Sequence, residues 1–298
     1  MNPYISNLPK ELVDTDYLNR IHKNITAFSE DLLRFFTFEC RLSDPEKDAD
    51  FLFCIVKEQA NFFSIPQEWK GNSLWQSILS FLEEWKNGNW NQVGNIWFEL
   101  DKKELLADCP IPSLFFAPTL GLSKKEATEL VIRFRQKFSL FAPSLNTDLM
   151  QHLYANLPTY SSIPQIGYMF SRESAYLRFY IHKISSNDAK NLLDKMSWAG
   201  NSEKLWELLL IVYSAGCYVD IDIDVGTSLG NIIGLECYFP NGDAYRLLDM
   251  LLSQNLCIVS KYQDLAKLDK KYYSIHHIKL VVDEKSILAT KVYLLANR

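Results

Sequence analysis

Between Tyr218 and Asp224 the chain alternates: Val219, Ile221 and Ile223 fall on one side of an extended strand, and Asp220, Asp222 and Asp224 on the other. Three carboxylates on one strand face suit a cation, a metal ion or the donor groups of a substrate. The plainer alternative is a solvated face on an edge strand. A second alternation places Tyr176, Arg178, Tyr180 and His182 opposite Leu177, Phe179 and Ile181. Further on, His277 shares a face with Lys279, and Lys291 shares one with Tyr293. Long cations with phenols two residues away suit an anionic ligand held among aromatic rings. Taken singly, each also reads as a cation snorkelling from an exposed strand.

One carboxylate stands apart from these. In the run from Phe35 to Arg41, the residues Phe35, Thr37, Glu39 and Arg41 oppose Phe36, Phe38 and Cys40. Mid-strand among phenylalanines, Glu39 would either pair with the neighbours of Arg41 or carry a raised pKa and act as a base. Trp97, Glu99 and Asp101 form a similar mixed face. The adjacent His276 and His277 are expected to point to opposite faces of a strand, which argues against joint metal ligation.

These faces need strands to hold them, and the strands come in pairs. Extended runs are expected at Arg34–Leu42 and Asp50–Lys57, Asn95–Asp101 and Ser113–Phe116, Ile166–Phe170 and Ala175–Ile184, Tyr218–Asp224 and Asn231–Phe239, and Tyr273–Asp283 and Ile287–Leu295. Helical spacing appears at Asp14–Leu33, Ser73–Trp85, Ser123–Phe138, Asn187–Trp198, Ser202–Ser214 and Asp243–Ser253. Ser73 is the expected cap of its helix, and Ser123 with Glu126 three residues on makes a capping box. A strand pair followed by helix, five times over, is neither a parallel α/β pattern nor a sandwich. It predicts an α+β fold, a closed antiparallel barrel of about ten strands surrounded by helices, as one domain over residues 1–298. Closure removes the edges, and ten strands leave a lumen. Function is then expected inside.

Composition agrees. The 298 residues are 48% hydrophobic and 22% charged, which excludes a disordered chain. Aromatics reach 13%, enough for a ring-lined cavity, while the tryptophans at 75, 85, 90, 198 and 206 sit at helical positions and read as packing. A net charge of −5 with no basic stripe argues against nucleic acid as a partner. The six cysteines form no C-x-x-C pair, as expected of reduced thiols. Neither a signal core nor a stretch of ~20 apolar residues is present, so a cytoplasmic protein with no membrane insertion is expected.

The repeat of helix and strand pair, with Phe38-Glu-Cys-Arg-Leu42, Leu114-Phe-Phe-Ala-Pro118, Arg178-Phe-Tyr180, Glu236-Cys-Tyr238 and Lys291-Val-Tyr293, resembles the αββα (ABBA) barrel prenyltransferases. Among these are the dimethylallyl-tryptophan-synthase-like enzymes and the cyanobactin peptide prenyltransferases. The resemblance implies transfer of an isoprenoid from its diphosphate to an aromatic or peptide side-chain acceptor in natural-product biosynthesis. It implies Glu39 as base, Arg178, Lys279 and Lys291 as diphosphate ligands, and Tyr180, Tyr238 and Tyr293 as shield of the allylic cation. Asp220, Asp222 and Asp224 would hold Mg²⁺ with the diphosphate or orient a cationic acceptor such as a guanidine.

This chain departs from the family at three strands. The second, Asp50-Phe-Leu-Phe-Cys-Ile-Val, has no arginine; the fourth has Ser113 and Phe115 in place of K-x-Y; the eighth has Glu236 in place of a cation. These departures favour the competing reading, a non-catalytic barrel that binds a peptide or small molecule for partner enzymes.

Overall fold

The computed structural model describes residues 3–172, 174–200, 202–240, 243–283 and 286–297. Ten strands carry the fold. They are β1 (Phe35–Arg41), β2 (Ala49–Val56), β3 (Val93–Leu100), β4 (Ser113–Pro118), β5 (Ser162–Tyr168), β6 (Leu177–His182), β7 (Tyr218–Val225), β8 (Leu229–Tyr238), β9 (Tyr273–Val282) and β10 (Ile287–Ala296). Every neighbouring pair is antiparallel, and β1 pairs with β10 as well as with β2, so the sheet closes into a barrel. The expected ten-stranded barrel is the observed one.

Around it lie α1 (Pro3–Ser6), α2 (Thr15–Thr26), α3 (Ser73–Lys86), α4 (Lys124–Lys137), α5 (Thr147–Asn156), α6 (Ser186–Lys195), α7 (Ser202–Ser214), α8 (Tyr245–Ser253) and α9 (Val259–Ala266). Side-chain caps start several of them: Asp14 for α2, Asn72 for α3, Ser123 with Glu126 for α4, Asn146 for α5 and Ser185 for α6. No helix among the described residues is long and apolar enough to cross a membrane.

Three expectations about helices change. The first helix stops at Thr26 instead of Leu33; the apolar spacing continues only as a 3₁₀ turn in which Leu33 leaves helical backbone angles. Asn72, one residue earlier than Ser73, caps α3. Helices α5 and α9 were not expected, because α5 is half polar and α9 spans only eight residues.

The apolar face of each strand points outward, under the helices. Phe38, Phe51, Phe53, Phe98, Phe116, Phe179, Ile221 and Leu280 are fully buried there. Trp75 of α3 stacks near-parallel on Phe98, Trp85 of the same helix is fully buried, and Trp90 is buried against Phe81 of α3 and Phe134 of α4. Trp198 and Trp206 are only half-buried. With the apolar faces turned to the helices, the polar faces have nowhere to go but the lumen.

One irregularity re-aims a side chain. On β9 the register jumps from His277 opposite Tyr293 to Ile275 opposite Leu294, leaving His276 as the extra residue of a bulge. Strict alternation would send His276 to the outer face. The bulge brings both histidines to the lumen, correcting the expectation that they diverge.

Candidate active site

The barrel encloses a cavity of about 670 Å³. One side is apolar, built by Phe35 of β1, Leu52 of β2, Trp97 of β3 and Phe115 and Ala117 of β4. Phe35 meets Trp97 edge-on at 5.3 Å. Gly167 of β5 has no side chain, and the Phe115 ring lies over it in the space a Cβ would fill. The other side, from β6 to β10 and on to β1, is charged and phenolic. Arg178, Tyr180, Asp222, Glu236, Tyr238, Lys279, Lys291, Tyr293 and Glu39 all reach the cavity from there.

Each lumen cation faces a carboxylate. Lys291 of β10 pairs with Glu39 of β1, which also accepts from the Tyr293 hydroxyl. Lys279 of β9 pairs with Asp222 of β7 and with Glu236 of β8, the latter at 2.8 Å. Arg178 of β6 makes a fork to Asp224 at 2.8 and 2.9 Å, with Asp222 at 4.0 Å from its other nitrogen. Arg172, from a 3₁₀ turn after β5, reaches Glu99 and Asp101. The phenols of Tyr180 and Tyr238 hydrogen-bond each other.

Burial and pairing set the protonation states. Burial alone would raise Glu39, but Lys291, a hydrogen bond with Asp50 and the more distant charges of Lys279 and Arg172 together outweigh it and hold the carboxyl well below the ordinary range. That corrects the alternative of a raised Glu39. Asp50, opposite Glu39 across the ladder, is pushed well up by burial and by the Glu39 charge. Burial raises Glu99 to about 7 against the pull of Arg172. Glu236 is drawn far down, because Lys279 and His277 together overcome its burial.

The seven expected base, cation and shield residues, Glu39, Arg178, Lys279, Lys291, Tyr180, Tyr238 and Tyr293, all line the one cavity. The aspartate row does not act as a row. Asp222 lines the cavity on Lys279; Asp224 is held by Arg178; Asp220 accepts from Lys183 N–H and contacts His182 Nδ1, both at 2.7 Å. The carboxylates whose oxygens do converge are Asp50, Glu99 and Asp101, within 4.8 Å of one another. Arg41, the Lys102 N–H and Arg172 already engage them. Every carboxylate of both sets already accepts from a cation, an imidazole or a backbone N–H, which does not fit the shell of oxygen ligands that Mg²⁺ requires.

Two site residues escape sequence patterns. Arg172 comes from a turn, where alternation says nothing, and His276 enters through a bulge that no glycine or proline marks. Thr37 Oγ1 and Asn95 Oδ1 are buried at the cavity wall and have no hydrogen-bond partner among the described residues.

No family model matches the chain, and no curated protein matches it. Solved structures do. The prenyltransferase PriB superposes with a TM-score of 0.59 at 12% identity, covering 99% of this chain and 94% of that one. The 5-dimethylallyltryptophan synthase from Streptomyces coelicolor gives 0.54 at 9% identity, over 96% of this chain and 92% of that one. AnaPT from Neosartorya fischeri gives 0.57 at 13%, over 99% and 91%. The barrel is therefore the prenyltransferase barrel, as its αββα rhythm implied. PriB has been solved with product diphosphate, and with L-tryptophan and dimethylallyl thiolodiphosphate.

Proposed function

We propose that this barrel transfers an isoprenoid from its diphosphate to an aromatic or peptide side-chain acceptor in natural-product biosynthesis. One observation carries the reading: an ionised base, a group of cations, three phenols and an aromatic wall share a single cavity. The allylic C–O bond of the donor breaks, and its electron pair leaves with the diphosphate. An acceptor atom forms the new bond to the allylic carbon, and its proton passes to Glu39.

The cations keep donors for this task. Lys291 gives one N–H to Glu39, Lys279 gives two to Asp222 and Glu236, and Arg178 gives two to Asp224. An ammonium has three donors and a guanidinium five, so each has at least one left for a diphosphate oxygen. Tyr180, Tyr238 and Tyr293 line the same cavity as those donors, and their ring faces would shield an allylic cation. Trp97, Phe115 and Phe35 would bracket the acceptor, with Thr37 and Asn95 as its polar contacts.

The competing reading, a non-catalytic binding barrel, is favoured by the carboxylate that faces every lumen cation. Calorimetric titration with dimethylallyl and geranyl diphosphate separates the two. Saturable binding supports the transferase; no heat at millimolar donor sinks it.

A further inference from the structure

The lumen cations are neutralised by carboxylates before any anion arrives, so a diphosphate needs positive charge from groups that gain it on binding. Two imidazoles stand where this would count. His277 lies directly opposite Tyr293 and two residues from Lys279, which itself lies opposite Lys291. Two residues along a strand is about 7 Å, so one diphosphate spans both rows.

The contacts of the pair describe a shared proton. His276 Nδ1 and His277 Nδ1 are 2.7 Å apart, a distance that requires a hydrogen on one of them and a lone pair on the other. His277 Nε2 abuts the Glu236 carboxylate, and its ring stacks on Tyr293 at 3.9 Å. The other groups facing the pair are Tyr238 of β8, whose ring is 5.5 Å from His276 and 4.9 Å from His277, Lys279 on the same strand, and Lys291 with Glu39 beyond Tyr293. His276 keeps an exposed edge at the cavity mouth, while the packing of its ring and the facing His277 pull its imidazolium down to about 4. An incoming anion reverses that balance, because the added negative charge favours the second proton.

We propose that His276 and His277 belong to the anion site, taking up a proton as the donor's diphosphate binds and holding one of its oxygens through an imidazolium N–H. The proposal rests on the transferase reading above. It makes binding of the anion proton-coupled, and it supplies the eighth strand's missing cation from the ninth.

The test uses the full chain labelled with ¹⁵N-histidine and titrated with inorganic diphosphate at pH 7, the signals of His276 and His277 being picked out of the five histidines with His276→Gln and His277→Gln. The expected result is a shift of the His276 or His277 ring nitrogens to imidazolium values on saturation. His276→Gln, at the mouth, is expected to weaken diphosphate about tenfold at pH 6.5 and less than threefold at pH 8.5. Should the buried His277→Gln fail to fold, the His276→Gln affinities and the wild-type spectra still decide. Diphosphate that binds with unchanged ring nitrogens and with His276→Gln affinity within twofold of wild type overturns this inference alone. Absence of diphosphate binding to the wild type overturns it together with the transferase reading.

Discussion

Lys279 and Lys291 stand directly opposite each other across the β9–β10 ladder, both nearly buried. Like charges facing each other across a ladder repel. The pair is held by carboxylates from other strands: Glu39 from β1 on Lys291, and Asp222 and Glu236 from β7 and β8 on Lys279. Positive charge is thus concentrated on two adjacent strands by negative charge flanking them on both sides. The arrangement makes separable demands on stability and on binding.

Glu39→Leu should cost about 3–5 kcal/mol, because it strands the Lys291 ammonium in a buried site. Adding Lys291→Met to the same chain should return most of that loss, since two apolar groups replace a buried pair. Urea unfolding of both singles and the double variant measures the cycle. Additive losses would mean that the two side chains do not depend on each other.

Arg178 and Asp224 should act in opposite senses on the donor. Arg178→Ala removes a charged ligand and should weaken dimethylallyl diphosphate by roughly 1–3 kcal/mol. Asp224→Asn leaves the guanidinium in place without its competing carboxylate, and should tighten the same ligand. Calorimetry on the folded variants gives both signs. Equal weakening by the two would assign Arg178 a purely structural role.

Gly234 opens the space in which the Lys279–Asp222 pair sits. A Cβ at this position would lie 2.7 Å from Lys279 Cε and 2.8 Å from Asp222 Oδ2. Gly234→Ala must therefore displace the ion pair, with a stability loss of about 1–3 kcal/mol from overpacking. Donor affinity should fall with it, while Gly71→Ala, where nothing lies within 4 Å, serves as the control. An unaltered donor affinity in Gly234→Ala would separate Lys279 from the anion site.

Glu99 predicts a loss of stability toward neutral pH. Its folded-state pKa is raised from 4.5 to about 7, so between those values the folded chain holds a proton that the unfolded chain has released. Stability then falls as pH rises through that window, by up to about 3 kcal/mol. Glu39 and Glu236, held low in the fold, work the other way: their contribution is present above the ordinary carboxylate range and disappears on acidification. Glu99→Gln should remove the neutral-side loss, so its advantage over wild type should grow from pH 5 to pH 8 in urea titrations. A difference independent of pH would place the Glu99 proton elsewhere.

The barrel was legible in the sequence because its outward faces are strictly apolar. Leu177, Phe179 and Ile181 alternate with Arg178 and Tyr180, and the same holds for Val219 to Asp224, so strands and their two faces could be read together. The lumen residues followed. Their pairing did not, because Glu39 meets Lys291 only through closure of first strand on last, and Asp222 reaches Lys279 across β8 through the gap at Gly234. The three aspartates thus looked like one cation site and are three separate partners. The bulge at His276 was equally invisible, since it depends on the register of β9 against β10 and not on any residue within it.

Closure of β1 on β10 also sets when the lumen comes into being. Glu39 and Lys291 are separated by 252 positions, and ribosomes add about 5–20 residues per second. For roughly ten to fifty seconds after Glu39 is made, its partner does not exist. During that interval the strands already formed present two unpaired backbone edges, hazards for association with other chains. The last strand therefore seals the edges and assembles the Glu39–Lys291 end of the cavity in one event, so that a newborn chain acquires its lumen and its protection from aggregation together.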